Sequence, residues 1–311
     1  MRLYIDKENV ISLMSSVAQD SFEECARSIR RDLDVQYNFS KEEVRTNESL
    51  IAWFSRFGQG VNGKQDFVPE NKPNVCPPRP LKSNFYNSED IHCTDIYLLN
   101  DEHICDIVKQ KSCILIGKVG EEIKVLTSLI LENTETPAIK IKTWKDYRPA
   151  LPLTDIVLCD NHYFKDKYTY DHNDNEIIRA LVEIPNGSPV NVVIITKQGE
   201  IDGRIDLNEE LRKIKELVKK ATNSKKSTAT ILTAYRTHDR ILITNYYRIK
   251  HGSCFHLKDN SLKEDVTTEI KSHVNRHNEM VSRGLLAVYQ KIANNAVERY
   301  GDQVSNLLKF S

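Results

Sequence analysis

The chain has 311 residues, with 44 lysines and arginines against 44 aspartates and glutamates, so its formal net charge is zero. Apolar residues make up 40% and charged residues 28%, the balance of a folded chain with a proper core, and the length suffices for two domains of ordinary size or one large one. This argues against a strongly basic nucleic-acid-coating protein, and the lack of any apolar run of about 18 residues argues against a transmembrane helix.

The N-terminus, Met1-Arg-Leu-Tyr-Ile-Asp6, turns charged at once and lacks a signal-peptide core, which predicts a cytoplasmic protein. Leu3 to Asp6 reads as a short strand, and Ser21 to Leu33 as a helix with Phe22, Cys25, Ala26 and Ile29 at helical spacing. A second helix is predicted over 42–57. Gly58-Gln-Gly60-Val-Asn-Gly63 reads as a turn, since no strand precedes it and no G-K-[ST] follows. Prolines at 69, 73, 77, 78 and 80 mark 69–80 as a Pro-rich connection.

Further on, Asp95 to Leu99 and Ser112 to Gly117 are predicted strands, with a short helix over 101–109 between them and another over 121–131 after them. Gly117-Lys-Val-Gly120 sits between strand and helix but lacks a full phosphate-binding fingerprint. Pro149-Ala-Leu-Pro152 marks a second boundary. Beyond it, Asp155 to Cys159, Pro189 to Thr196, Ser227 to Thr233, Arg240 to Thr244 and Tyr247 to Leu257 are predicted strands. Helices are predicted over 176–183, 208–221 and 266–300, the last with a break near Gly284. Strands alternating with helices predict an α/β class, a mixed sheet flanked by helices. The predicted division is an N-terminal α/β domain over 1–149 and a second domain over 150–311.

The seven cysteines include no C-x2-C pair, and an odd number argues against a disulfide framework. His92-Cys93 with His103 and Cys105 supplies metal-binding atom types, but at no standard zinc spacing. No metal and no cofactor are predicted.

The most specific pattern is His238-Asp-Arg240-Ile-Leu-Ile-Thr-Asn245, followed after six residues by Gly252-Ser253. On a strand, residues two apart share a face, so His238 and Arg240 can address one phosphate together. Written H-x-R-x4-N-x6-G-S, the pattern resembles the H-x-K-x4-D-x6-G-S signature of the phospholipase D superfamily, with identical spacing. The run of strands and helices over 155–257 also follows that family's order.

The resemblance implies a phospholipase D-like fold for the second domain and metal-independent phosphodiester chemistry through a phosphohistidine. By position, His238 corresponds to the nucleophile, Arg240 to the phosphate clamp, Asn245 to the orienting group and Ser253 to an auxiliary donor. Gly252, Ser253 and Lys250 complete the implied phosphate-binding set. The sequence departs from the family at two positions. Arginine for lysine keeps the charge and adds a planar fork, whereas asparagine for aspartate removes a charge that would stabilise an imidazolium.

The family site needs two histidines, and no second motif occurs in this chain, so the resemblance implies a homodimer through the second domain. The alternative is that another histidine of the chain, His251 foremost, joins the site. The leading functional expectation is a nuclease, as in bacterial defence or regulatory systems. The alternative is a phosphate-binding module, for nucleic acid or a lipid headgroup, that does not cleave. Lys219, Lys220, Lys225 and Lys226 with Arg236, Arg248 and Lys250 would supply phosphate contacts, and Tyr246 and Tyr247 base stacking. The plainer reading of the lysines is a solvated helix end, and of the tyrosines, packing.

Overall fold

The computed structural model describes residues 1–37, 39–57, 94–100, 114–115, 119–131, 133–137, 143–144, 153–165, 175–182, 189–237, 240–252, 255, 267–301 and 305–309. It divides into two compact units, Met1–Leu131 with His273–Glu279, and Glu132–Ser272 with Met280–Ser311. The boundary thus falls at 131/132 instead of the predicted 149/150. The reason is strand β5 (Asn133–Pro137), which pairs antiparallel with a strand of the second unit.

The first unit begins with β1 (Arg2–Ile5), α1 (Lys7–Ser15), α2 (Phe22–Asp32) and β2 (Asp34–Tyr37). After α3 (Lys41–Thr46) and α4 (Glu48–Phe57) come β3 (Ile96–Leu98), β4 (Ile114–Leu115) and α5 (Glu122–Leu131). Its strands lie in the order β2-β1-β3-β4, and every described pairing is parallel. Helical crossovers make parallel pairing the natural outcome. Helix α1, not predicted from the sequence, starts where the Asp6 carboxylate accepts from the Asn9 N–H at 3.0 Å. The predicted helix over 42–57 is two helices. Ser40 and Glu43 form a capping box on α3, and the Asn47 side chain accepts from Leu50 N–H at 3.1 Å to start α4. The predicted helix over 101–109 and the Pro-rich 69–80 lie outside the described residues, as do His92, Cys93, His103 and Cys105.

The second unit holds β6 (Asp155–Asp160), α6 (Glu176–Val182), β7 (Asn191–Lys197), α7 (Leu207–Thr222), β8 (Thr228–Ala234), β9 (Arg240–Thr244) and β10 (Tyr247–His251). Then follow β11 (Thr267–Ser272), α8 (Arg276–Asn294) and β12 (Glu298–Tyr300). Among the described residues the sheet has eight strands in the order β12-β8-β7-β6-β9-β10-β11-β5. Strands β6, β7 and β8 are parallel to one another, and the remaining pairings are antiparallel.

Every residue of β6 is buried, and so are the five central residues of β7. Strands covered on both faces read as unbroken apolar runs, which is why these were legible in the sequence. Helix α7 buries Leu211, Ile214 and Val218, with Leu217 half-buried beside them.

The predicted long helix over 266–300 is a strand, a helix and a strand. Residues 267–272 alternate in burial with the period of two that defines a strand. Gly284 brings no break, because it is exposed and α8 runs through it. The predicted strand over 247–257 ends at His251.

Candidate functional site at one edge of the mixed sheet

Strand directions decide which side chains can meet. The parallel strands β6, β7 and β8 end at the same edge of the sheet at which β9 begins and β10 ends. Strand ends in α/β sheets are where loops converge and where sites are commonly built. Asp160, the last residue of β6, stands directly opposite Arg240, the first of β9.

Asp160 is fully buried. Its carboxylate accepts from the His162 N–H at 2.9 Å and from the Phe255 N–H at 3.0 Å, tying together the chain after β6 and the chain after β10. Arg240 is half-buried, and its Nη1 donates to the Gly252 carbonyl at 2.8 Å. That bond holds the guanidinium in one place at the sheet edge, with other N–H groups of the planar fork left to meet an anion.

Two imidazoles lie within the field of Arg240. His162 is half-buried, with Nδ1 3.5 Å from a Glu200 carboxylate oxygen. The same carboxylate lies 3.7 Å from Lys165 Nζ and 3.2 Å from Lys197 Nζ. Burial, then the charges of Lys165 and Arg240, hold the His162 pKa below its ordinary value against the opposing pull of Asp160 and Glu200.

His251 is almost wholly buried. Its Nδ1 shares a 2.7 Å hydrogen bond with Thr268 Oγ1, and its Nε2 meets no partner among the described residues. Trp144 packs edge-on to this ring at 5.3 Å and donates its indole N–H to the Phe255 carbonyl at 2.8 Å. Phe255 lies 5.8 Å from the imidazole and 5.6 Å from Trp144, so the three rings form one cluster.

Burial first, and the Arg240 charge second, push His251 down to about 4. The ring is therefore neutral at neutral pH. An unfolded chain takes up this proton near pH 6.5, but the folded chain only near 4. Stability present above the unfolded value is therefore lost as pH falls from 6.5 through 4, by about 3 kcal/mol for this group alone. His251→Phe, which keeps a flat ring against Trp144 and Phe255, should flatten that acid limb. Urea midpoints measured across this range check it, and an unchanged slope in the variant would reject the assignment.

The predicted site residues divide. Arg240 and Gly252 lie together at this edge, whereas His238 and Ser253 lie outside the described residues. Asn245 is elsewhere. It follows the last residue of β9, five positions from Arg240 along the strand, or about 17 Å at the rise of an extended chain. Its side-chain oxygen accepts from both Thr154 N–H and Asp155 N–H at 3.0 Å. The residue pins the start of β6, at the end of β9 away from Arg240.

Lys250 also leaves the set. It stands opposite Ile241, and successive strand residues point to opposite faces, so it projects away from the face that carries Arg240. Tyr246 and Tyr247, considered for base stacking, are buried and serve packing. Arg248 is buried beside Glu269 at 3.4 Å.

Sequence reasoning missed His162, Glu200 and Trp144. No motif joins them. The available signal was that Asp160-Asn161-His162 ends a strongly apolar strand, where site residues gather. Tyr235, 76% exposed, and the exposed Arg236 directly follow β8 at the same edge. These, and not the two buried tyrosines, present an aromatic face and a cation to solvent.

Among the described residues no group of three or more His, Cys, Asp or Glu side chains is placed to hold a metal ion, and no helix is long and apolar enough to cross a membrane. No family model and no curated protein matches the chain. Among solved structures it is similar to that of TrmBL2, an archaeal chromatin protein reported to show a novel mode of DNA binding. The TM-score is 0.29 and the identity 14%, over 55% of this chain and 59% of that one, a likeness too loose to carry an argument about fold or function.

Proposed function

We propose that the second unit is a phospholipase D-like phosphodiesterase that cleaves nucleic acid without a metal ion. The observation that carries this reading is the meeting of Arg240 with two imidazoles at one sheet edge. Arg240 begins β9 opposite Asp160, His162 follows two residues after Asp160 and His251 ends the neighbouring β10, and buried Asp160 ties together the chain after β6 and the chain after β10. Arg240 neutralises phosphate oxygens, and the motif assigns His238 as nucleophile.

Attack on phosphorus forms the phosphohistidine bond and breaks the bond to the leaving oxygen, which takes a proton from protonated His162. Neutral His162 then removes a proton from the water that hydrolyses the intermediate and releases His238. Glu200 beside His162 Nδ1 favours the protonated form in the first step. An arriving phosphodiester offsets the Arg240 charge that disfavours it. The nucleophile His238 and the acid His162 then come from one chain, and a second copy is not required. Exposed Tyr235 and Arg236 at the same edge suit a nucleic-acid strand, by stacking and phosphate contact.

The test is cleavage of single- and double-stranded DNA and RNA in EDTA. Activity that survives EDTA and disappears in His238→Ala and His162→Ala supports the reading. Binding without cleavage by the wild-type protein would turn it into a phosphate-binding module. Activity regained on mixing the two inactive variants would show a site shared between two copies.

A further inference from the structure

The opposite edge of the same sheet carries a second concentration of charge that the reading above does not use. Strand β8 runs seven residues from this edge to the other, a span of about 20 Å. Here Lys215, Lys219, Lys225 and Lys226 line a recess of about 460 Å³, floored by Ser227, Thr228 and Ala229. Among the described residues no acidic side chain is in its lining.

The helix that supplies two of these lysines treats its other cations differently. Arg212 pairs with Glu209 at 2.7 Å and with Glu216 at 2.6 Å, and Lys213 pairs with Glu210 at 2.9 Å. The four lysines of the recess make no ion pair among the described residues. A solvated helix face intersperses its charges, as the outer face of α7 does. Four like charges gathered around one concavity repel one another until an anion neutralises them.

The recess is also built in advance. Asn223 caps α7 in the left-handed conformation at φ 50°. Ser224 N–H donates to the Lys219 carbonyl at 3.2 Å, Ser227 N–H to the Ser224 carbonyl at 3.3 Å, and Lys226 N–H to Ser224 Oγ at 3.3 Å. These bonds set the turn that carries Lys225 and Lys226. Beneath it, Ser227 Oγ accepts from Val190 N–H at 3.0 Å and bonds Thr222 Oγ1 at 2.7 Å. The negative end of the α7 dipole also lies here, but its half charge is small beside four ammonium groups.

From this we infer that the recess binds a small molecule bearing a chain of phosphates. The volume lies in the range of small-ligand pockets, about 300–1,000 Å³. Four lysines around one recess match a triphosphate in charge, where a nucleic-acid backbone would call for a stripe of cations along a surface.

Calorimetric titration of the full chain with inorganic triphosphate and, separately, with ATP at low salt tests the assignment. Saturable binding is expected, weakened about tenfold or more in the paired variants Lys219→Glu with Lys226→Glu and Lys219→Gln with Lys226→Gln. Lys220→Glu, in the same helical turn but outside the lining, should change it less than about twofold. Equal affinity for the two ligands assigns recognition to the phosphate chain alone, and tighter ATP binding adds a contact to the nucleoside. Failure of both to saturate overturns the inference, and so does equal weakening by Lys220→Glu, which would mean diffuse surface charge. Duplex DNA binding that depends on Lys219 and Lys226 and that triphosphate does not displace would overturn it in favour of a nucleic-acid surface. Because the recess lies at the edge away from Arg240, these outcomes are independent of nuclease activity.

Discussion

Asn245→Ala is expected to lower the stability of the second unit by about 2–4 kcal/mol, read as a shift in the urea midpoint. The side-chain oxygen of Asn245 accepts from two backbone N–H groups, those of Thr154 and Asp155, and the residue is fully buried. Alanine leaves both donors without this acceptor, and an unsatisfied buried polar group costs about 1–3 kcal/mol.

Asn245→Asp, which restores the residue of the family signature, should also destabilise. The neighbouring Asp155 carboxylate is already buried, with a pKa pushed up by desolvation, and is held by Ser305 Oγ at 2.6 Å and Asn306 N–H at 2.8 Å. A second carboxylate beside it adds like-charge repulsion in a dry site. The folded fraction of either variant should retain its rate of phosphodiester cleavage, since position 245 lies about 17 Å from Arg240 along the strand. A large fall in rate without a fall in stability would show that Asn245 acts on the chemistry after all. The charge lost from the motif at this position therefore weighs on the fold more than on the proposed activity.

Arg240→Ala should lower cleavage by about 10²–10³-fold, the loss that follows removal of one preorganised group from a developing charge. Two consequences separate that loss from simple unfolding. The guanidinium disfavours protonation of both His162 and His251, so its removal should raise both imidazole pKa values, observable by NMR titration. Arg240→Lys should recover part of the rate, because the charge returns while the planar fork and its tie to the Gly252 carbonyl do not. Unchanged imidazole titration in Arg240→Ala would remove the electrostatic basis of the proposed site.

What the sequence determined by itself was the chain of elements with strong local signals. The apolar runs of β6 and β7 and the one-sided helix α7 were legible, because burial on both faces or on one stripe leaves a periodic trace. The spaced motif located Arg240 and Gly252, which share one edge.

What only the tertiary structure decided was partnership. The register of β6 against β9 sends Arg240 to one edge with Asp160 and Asn245 to the other beside Asp155. The same alternation turns Lys250 to the opposite face. His162, Glu200 and Trp144 reach the site from separate elements. Strands β5 and β11 were missed because Asn133–Pro137 and Thr267–Ser272 hold few apolar residues, and their pairing becomes visible only when the partner is in place. Spacing along a chain sets which residues can share a face, but the direction and register of neighbouring strands set which faces and ends meet.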